Sequence, residues 1–122
     1  MTNEEKQLLI KDLCARLPYK PHIKFSIIGA GGYEVCELLP ELITSIFLNE
    51  DIEIKPYLRP MSSMTEEERK KLSSIQEKNT PYPSVKYRGC DYLNSIHVDY
   101  RGLIEKGLAL EAPEGMYKYG YI

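Results

Sequence analysis

Between Ile10 and Ile27 the apolar residues change their spacing, and that change limits the fold more than any other feature of the chain. Ile10, Leu13, Cys14 and Leu17 recur at intervals of three and four, the stripe of a helix with one buried face. Pro18 ends that run. Ile23, Phe25 and Ile27 then alternate with Lys24 and Ser26, the period of a strand that hides one face. A helix followed by a one-sided strand calls for helices laid against a sheet, an α+β arrangement. Thr2 and Glu5 form a capping box that starts the helix, with Lys6, Lys11 and Asp12 on its wet side.

The strand pattern repeats down the chain. Gly29, Gly31 and Gly32 supply the positive backbone angles of a hairpin, and residues 33–39 read as the returning strand. "FSIIGAGG" also resembles a strand entering a phosphate loop, but Glu34 stands where the third glycine of the dinucleotide fingerprint belongs. Residues 42–48 read as a third strand and 52–58 as a fourth. Pro56 and Pro60, which cannot donate ladder hydrogen bonds, suit a sheet edge or exit. Thr65 and Glu68 make a second capping box, followed by a charged helix in which Glu66–Lys70 and Glu67–Lys71 are spaced as i, i+4 pairs and only Leu72 and Ile75 face a core. This helix is expected on the surface of the sheet. Residues 79–84 read as a proline loop and 85–88 as a fifth strand. Asp91 and Asp99 read as N-caps of short helices, the last closed by Gly107 with Leu108 reaching back to Leu103. The expectation is one domain over residues 1–122: an amino-terminal helix, a four- or five-stranded antiparallel meander, and short carboxyl-terminal helices on one face.

At 122 residues a single core suffices, and a net charge of -2 gives no bulk attraction to nucleic acid or to an anionic membrane. No apolar run approaches the roughly 20 residues of a membrane span. The acidic amino terminus lacks the features of a signal peptide, so a cytoplasmic location is expected. Cys14, Cys36 and Cys90 are odd in number and far apart, and read as buried reduced thiols. No metal-ligand spacing is present, and no cofactor is expected.

Three stretches, "LLIKDLCARLPY", "IKPYLRPMSSMTEEE" and "DYRGLIEKGLALEAPEGMY", resemble a group of small proteins encoded by phages and mobile elements of gut Bacteroidales bacteria. The resemblance covers about two thirds of the chain and implies a habitat in the bacterial host rather than a chemistry. Residues 22–50 and 76–90 are where the group varies, and the "GAGGYEV" hairpin is this chain's main departure.

Tyrosine dominates the aromatic content: ten residues, seven of them after residue 80, with no tryptophan. Tyrosine offers a flat face and one hydroxyl at small entropic cost, which suits stacked ligands and protein interfaces. "VKYRGC" is echoed by "VDYRGL", which sets Tyr87, Arg88, Tyr100 and Arg101 in similar local contexts. With Arg59 and Lys86 they form a candidate ligand site, in which guanidinium groups hold phosphate and aromatic rings hold a base. His97 could serve as a general base if Asp91 or Asp99 oriented it, and His22 is the weaker candidate; no motif requires either. Ser62, Ser63, Ser73 and Ser74 lie outside any nucleophile elbow. The sequence therefore reads as a non-enzymatic accessory protein that counters host defence by sequestering a nucleotide-type signal. The alternative is an interaction module that docks a host or phage protein through exposed tyrosines and the helix at 65–78. A small hydrolase is the third reading. Exposed aromatics and sheet edges favour a homo-oligomer under the first two.

Overall fold

A computed structural model describes residues 1–76 and 84–117, and for residues 76 and 84–88 the backbone alone. The first helix, α1 (Asn3–Arg16), opens on the expected capping box: Glu5 N donates to Thr2 Oγ1 at 3.1 Å and Thr2 N to Glu5 Oε1 at 2.9 Å. Its buried stripe is turned from the expected one. Leu9, Asp12, Leu13 and Arg16 point inward while Cys14 is exposed. Asp12 is thus not on the wet side, because it has an ion-pair partner one turn away in Arg16.

Strand β1 (His22–Ile27) pairs antiparallel with β2 (Glu34–Glu37), the chain reversing through glycines with φ of +87°, +66° and +113° at Gly29, Gly31 and Gly32. The next segment departs from expectation. Residues 40–48 form a helix, α2 (Pro40–Leu48), whose Ile43 and Ile46, three apart, enter the core. Pro40 in its first turn lacks an N–H that no helix could have satisfied there. Strand β3 (Ile52–Pro60) then returns antiparallel to β1, with Ile23 opposite Pro56 and Ile27 opposite Ile52. Helices α3 (Glu66–Gln76) and α4 (Ser84–Ser95) follow. Two-residue strands β4 (Val98–Asp99) and β5 (Leu110–Glu111) lie parallel to β3. The sheet is mixed and not a pure antiparallel meander.

Pro56 pairs with β1 at Ile23, and among the described residues the other side of β3 has no strand partner there, so it stands at a local edge of the sheet, as expected. The ladder tolerates it for a local reason. Ile28 N donates to Asp51 O, so the odd-numbered residues of β3 turn their backbone groups toward β1. Pro56 belongs to the other set, and β5 begins only at Tyr57.

The sheet face carrying Ile23, Phe25, Ile52 and Ile54 is covered by α1 and α2, and these residues form the main core with Leu9, Leu13, Leu38, Ile43 and Ile46. Leu58, Leu103, Leu108 and Ala109 form a second cluster, and Met64, Leu93 and Val98 a third. Helix α3 packs on α4. Its capping box is present, with Glu68 N to Thr65 Oγ1 at 3.1 Å and Thr65 N to Glu68 Oε1 at 2.8 Å. The expected i, i+4 ion pairs are not formed; Lys71 lies over the Tyr92 ring instead, at 5.1 Å. Residues 85–88, expected as a strand, belong to α4, so Asp91 is a mid-helix residue whose carboxylate accepts from Tyr19 Oη at 2.5 Å. Asp99 lies in β4 and caps a turn, accepting from Leu103 N at 3.0 Å and Ile104 N at 2.9 Å. That turn closes as expected, with Gly107 at φ +76° and Leu108 N bonded to Leu103 O at 2.9 Å. No disulfide joins the cysteines; Cys14 and Cys36 are exposed and Cys90 half-buried, so they are not the buried thiols expected. Among the described residues no helix is long and apolar enough to cross a membrane.

Candidate functional site

Six residues were singled out by sequence, and the structure places three of their side chains. Arg59, near the end of β3, is 3% exposed. Its two terminal nitrogens meet Glu68 Oε2 and Oε1 at 2.7 Å each, and the carbonyls of Ser63 and Ile96 at 2.9 and 3.3 Å. This fork fixes the start of α3 to the strand, and the guanidinium holds the Glu68 carboxyl below the ordinary carboxylate range. No face of it is turned to solvent.

Tyr100 and Arg101 are brought together, in company that no local pattern could show. Arg101 Nη1 donates to Asp12 Oδ1 at 2.7 Å, while Asp12 Oδ2 accepts from Arg16 Nε at 2.8 Å. Arg16 Nη2 reaches Val98 O at 2.7 Å. The Arg101 and Arg16 guanidiniums lie 4.7 and 5.4 Å from the Tyr100 ring centre, a cation–π arrangement. One carboxylate thus faces two guanidiniums, leaving one positive charge in excess. Arg16 Nη1, Tyr100 Oη and Asn94 Oδ1 are buried without hydrogen-bond partners. Burial raises the Tyr100 hydroxyl's pKa; the nearby Arg101 and Asn94 act against that rise, though the Asn94 amide is not in hydrogen-bond geometry. Tyr100 also lines an open groove of about 520 Å³ with Pro60, Met61, Ser62, Asp99, Gly102, Ile104 and Glu105.

Lys86, Tyr87 and Arg88 lie on α4, and their side chains fall outside the described residues. The described members of the set do not converge. Arg59 serves the β3–α3 junction, and Tyr100 with Arg101 serves the α1–β4 junction.

His97, at φ +63°, stacks on Tyr117 with ring centres 3.9 Å apart. Burial foremost, then the charges of Arg16, His22 and Arg59, push its pKa down to about 4. Its Nδ1 is buried without a partner, and the two acids expected to orient it are engaged elsewhere, Asp91 with Tyr19 and Asp99 with backbone amides. Tyr117 performs a different task. Its hydroxyl accepts from His22 N at 2.8 Å and donates to Tyr57 O at 2.7 Å, bridging the rung at which β1 leaves β3. His22 is therefore held at the strand entry, its ring 5.2 Å from that of Tyr117.

Sequence reasoning missed a set of exposed apolar side chains. Ile27 at the end of β1, Ile28 just after it, Tyr33 just before β2, and Phe47 and Leu48 at the end of α2 are 48%, 62%, 61%, 60% and 78% exposed. The Ile28–Asp51 hydrogen bond ties the two stretches at one end of the molecule, three residues after Leu48. Ile27 shares the sheet face of Ile23 and Phe25, while Tyr33 lies under Lys24 on the other, and exposed large apolar side chains of this kind mark interaction surfaces. Exposed Glu34, Glu50 and Asp51 rim them. Reading residues 42–48 as a strand hid the signal, since only on a helix do Phe47 and Leu48 both fall off the core face. Among the described residues no cluster of three or more His, Cys, Asp or Glu is placed to hold a metal ion. Comparisons with protein-family models, curated proteins and solved structures found no match.

Proposed function

We propose that the protein is a non-enzymatic accessory factor that works by docking another protein. The observation that carries this reading is the apolar end built from Ile27, Ile28, Tyr33, Phe47 and Leu48, which takes no part in the core clusters. The resemblance to phage and mobile-element proteins suits such a role, with a host or phage protein as the target. Selection of a random peptide display library on the immobilised chain tests it. Peptides should be enriched on the natural protein and lost on a Phe47→Ser, Leu48→Ser variant whose unfolding midpoint is unchanged. Equal enrichment on both, or none on either, overturns the reading.

A second reading, a nucleotide-type ligand beside Tyr100, is favoured by the excess positive charge of the Asp12, Arg16 and Arg101 cluster behind that ring, while Asp99 and Glu105 in the lining of the groove oppose it. Calorimetric titration with cyclic and linear nucleotides decides it: heat of binding that Tyr100→Ala abolishes supports it, and silence across the panel at tens of micromolar removes it.

A further inference from the structure

We infer that the partner is held as an added strand on the outer edge of β2, and that it carries basic residues three positions apart around an apolar one. This rests on the docking reading above and specifies its partner. Leu38 N donates to Pro21 O at 2.9 Å, so the even-numbered residues of β2 turn their backbone groups toward β1. The N–H and C=O groups of Val35 and Glu37 face the other way, and β2 is the terminal strand of the sheet order. All four of its residues are exposed. Among the described residues nothing covers that edge, which is the template an extended segment pairs with.

The charges on β2 select the occupant. Glu34 and Glu37 project to opposite faces, three positions apart, with Val35 48% exposed between them. Lys24, opposite Val35, does not neutralise them, since its ammonium lies over the Tyr33 ring at 4.5 Å. Two copies of β2 pair badly. In each antiparallel register that matches outward-facing residues, Glu34 or Glu37 meets its own counterpart directly or on the diagonal, where like charges repel. A segment reading basic, any, apolar, basic instead places cations beside both carboxylates and an apolar side chain against Val35. Continuing past Glu34, it runs toward Tyr33 and the apolar end.

The test uses the full chain and two synthetic extended peptides that differ only in charge, one built on Lys-Thr-Val-Lys and the other on Glu-Thr-Val-Glu. Binding is followed by fluorescence anisotropy, and amide hydrogen exchange is read at Val35 and Glu37. The lysine peptide should bind about tenfold more tightly, as two cross-strand charge pairs imply. It should slow exchange at both amides, and a Glu34→Lys, Glu37→Lys variant should invert the preference. Should that variant fail to fold, the two peptides on the natural chain still decide. Equal affinity, or binding without slowed exchange at those amides, overturns strand addition. Slowed exchange at both amides without peptide, in a dimer seen by light scattering, overturns it in favour of a second copy. Display-selected peptides that need Phe47 and Leu48 but leave the β2 amides exchanging freely overturn it while the docking reading stands; failure of all selections removes both.

Discussion

The buried charges decide what single substitutions do. Asp12 and Arg16 are both 0% exposed, and Asp12 serves two guanidiniums, so Asp12→Ala leaves cations in the interior without a counterion. Removing one partner of such a pair costs about 3–5 kcal/mol, to be read from urea unfolding midpoints. Tyr117→Phe is milder. It strips the hydroxyl that bridges His22 N and Tyr57 O, and an unsatisfied rung costs about 1–3 kcal/mol. His97 gives a pH signature. Its folded pKa of about 4 lies below the ordinary 6.5, so as pH falls the unfolded chain takes up the proton first. Its contribution is complete above pH 6.5 and is lost on descent toward pH 4. His97→Asn, which tolerates the positive φ, should flatten the melting temperature across that window. Beyond the i, i+4 spacing of Asp12 and Arg16, none of this was legible from local sequence. Asp12 looked solvated because one of its two partners, Arg101, lies 89 residues away, and the other, Arg16, is drawn inward by the distant carbonyl of Val98.

At the scale of elements, what could be read was what is decided within a few residues. Both capping boxes, the glycine hairpin and the Gly107 stop formed as expected, since each is a contact between neighbours in sequence. "LITSIFL" misled because its β-branched and aromatic residues favour a strand intrinsically, while burial of Ile43 and Ile46 against α1 and β3 rewards a helix. Pro40 and Glu41 in its first turn were the available signal. Glu68 shows one residue joining two elements, capping α3 and clamping Arg59 of β3. Thr65→Ala, losing only the cap, should cost about 1 kcal/mol. Glu68→Ala, which removes the carboxylate from the Arg59 fork, should cost about 3–5 kcal/mol, and the Arg59→Met, Glu68→Leu pair should recover most of that loss because neither charge of the fork remains. Thermal or denaturant melts of the four proteins check this. Recovery no better than the Glu68→Ala variant would mean that the fork does more than neutralise itself.

The whole molecule divides its apolar residues between two tasks, and the division was only half visible in advance. Alternation in β1 predicted a one-sided sheet, and α1 and α2 do cover the Ile23 and Ile54 face. The parallel contacts of β4 and β5 were beyond reach, since two-residue strands carry no period and are placed by tertiary packing alone. The apolar end was hidden for a related reason: exposure of Phe47 and Leu48 depends on which face of α2 meets α1, a relation between elements. If that end exists for docking, removing its hydrophobicity should leave stability almost untouched. Ile28, Phe47 and Leu48 lie outside the core clusters and are 62%, 60% and 78% exposed, so their truncation forfeits little burial. The Ile28→Ser, Phe47→Ser, Leu48→Ser variant should therefore unfold within about 0.5 kcal/mol per site of the natural chain while binding less of an environment-sensitive apolar dye. A loss of several kcal/mol would instead place these side chains in the folding core. The end would then be part of what holds α2 on the sheet, and the docking surface would have to be sought along β2 alone.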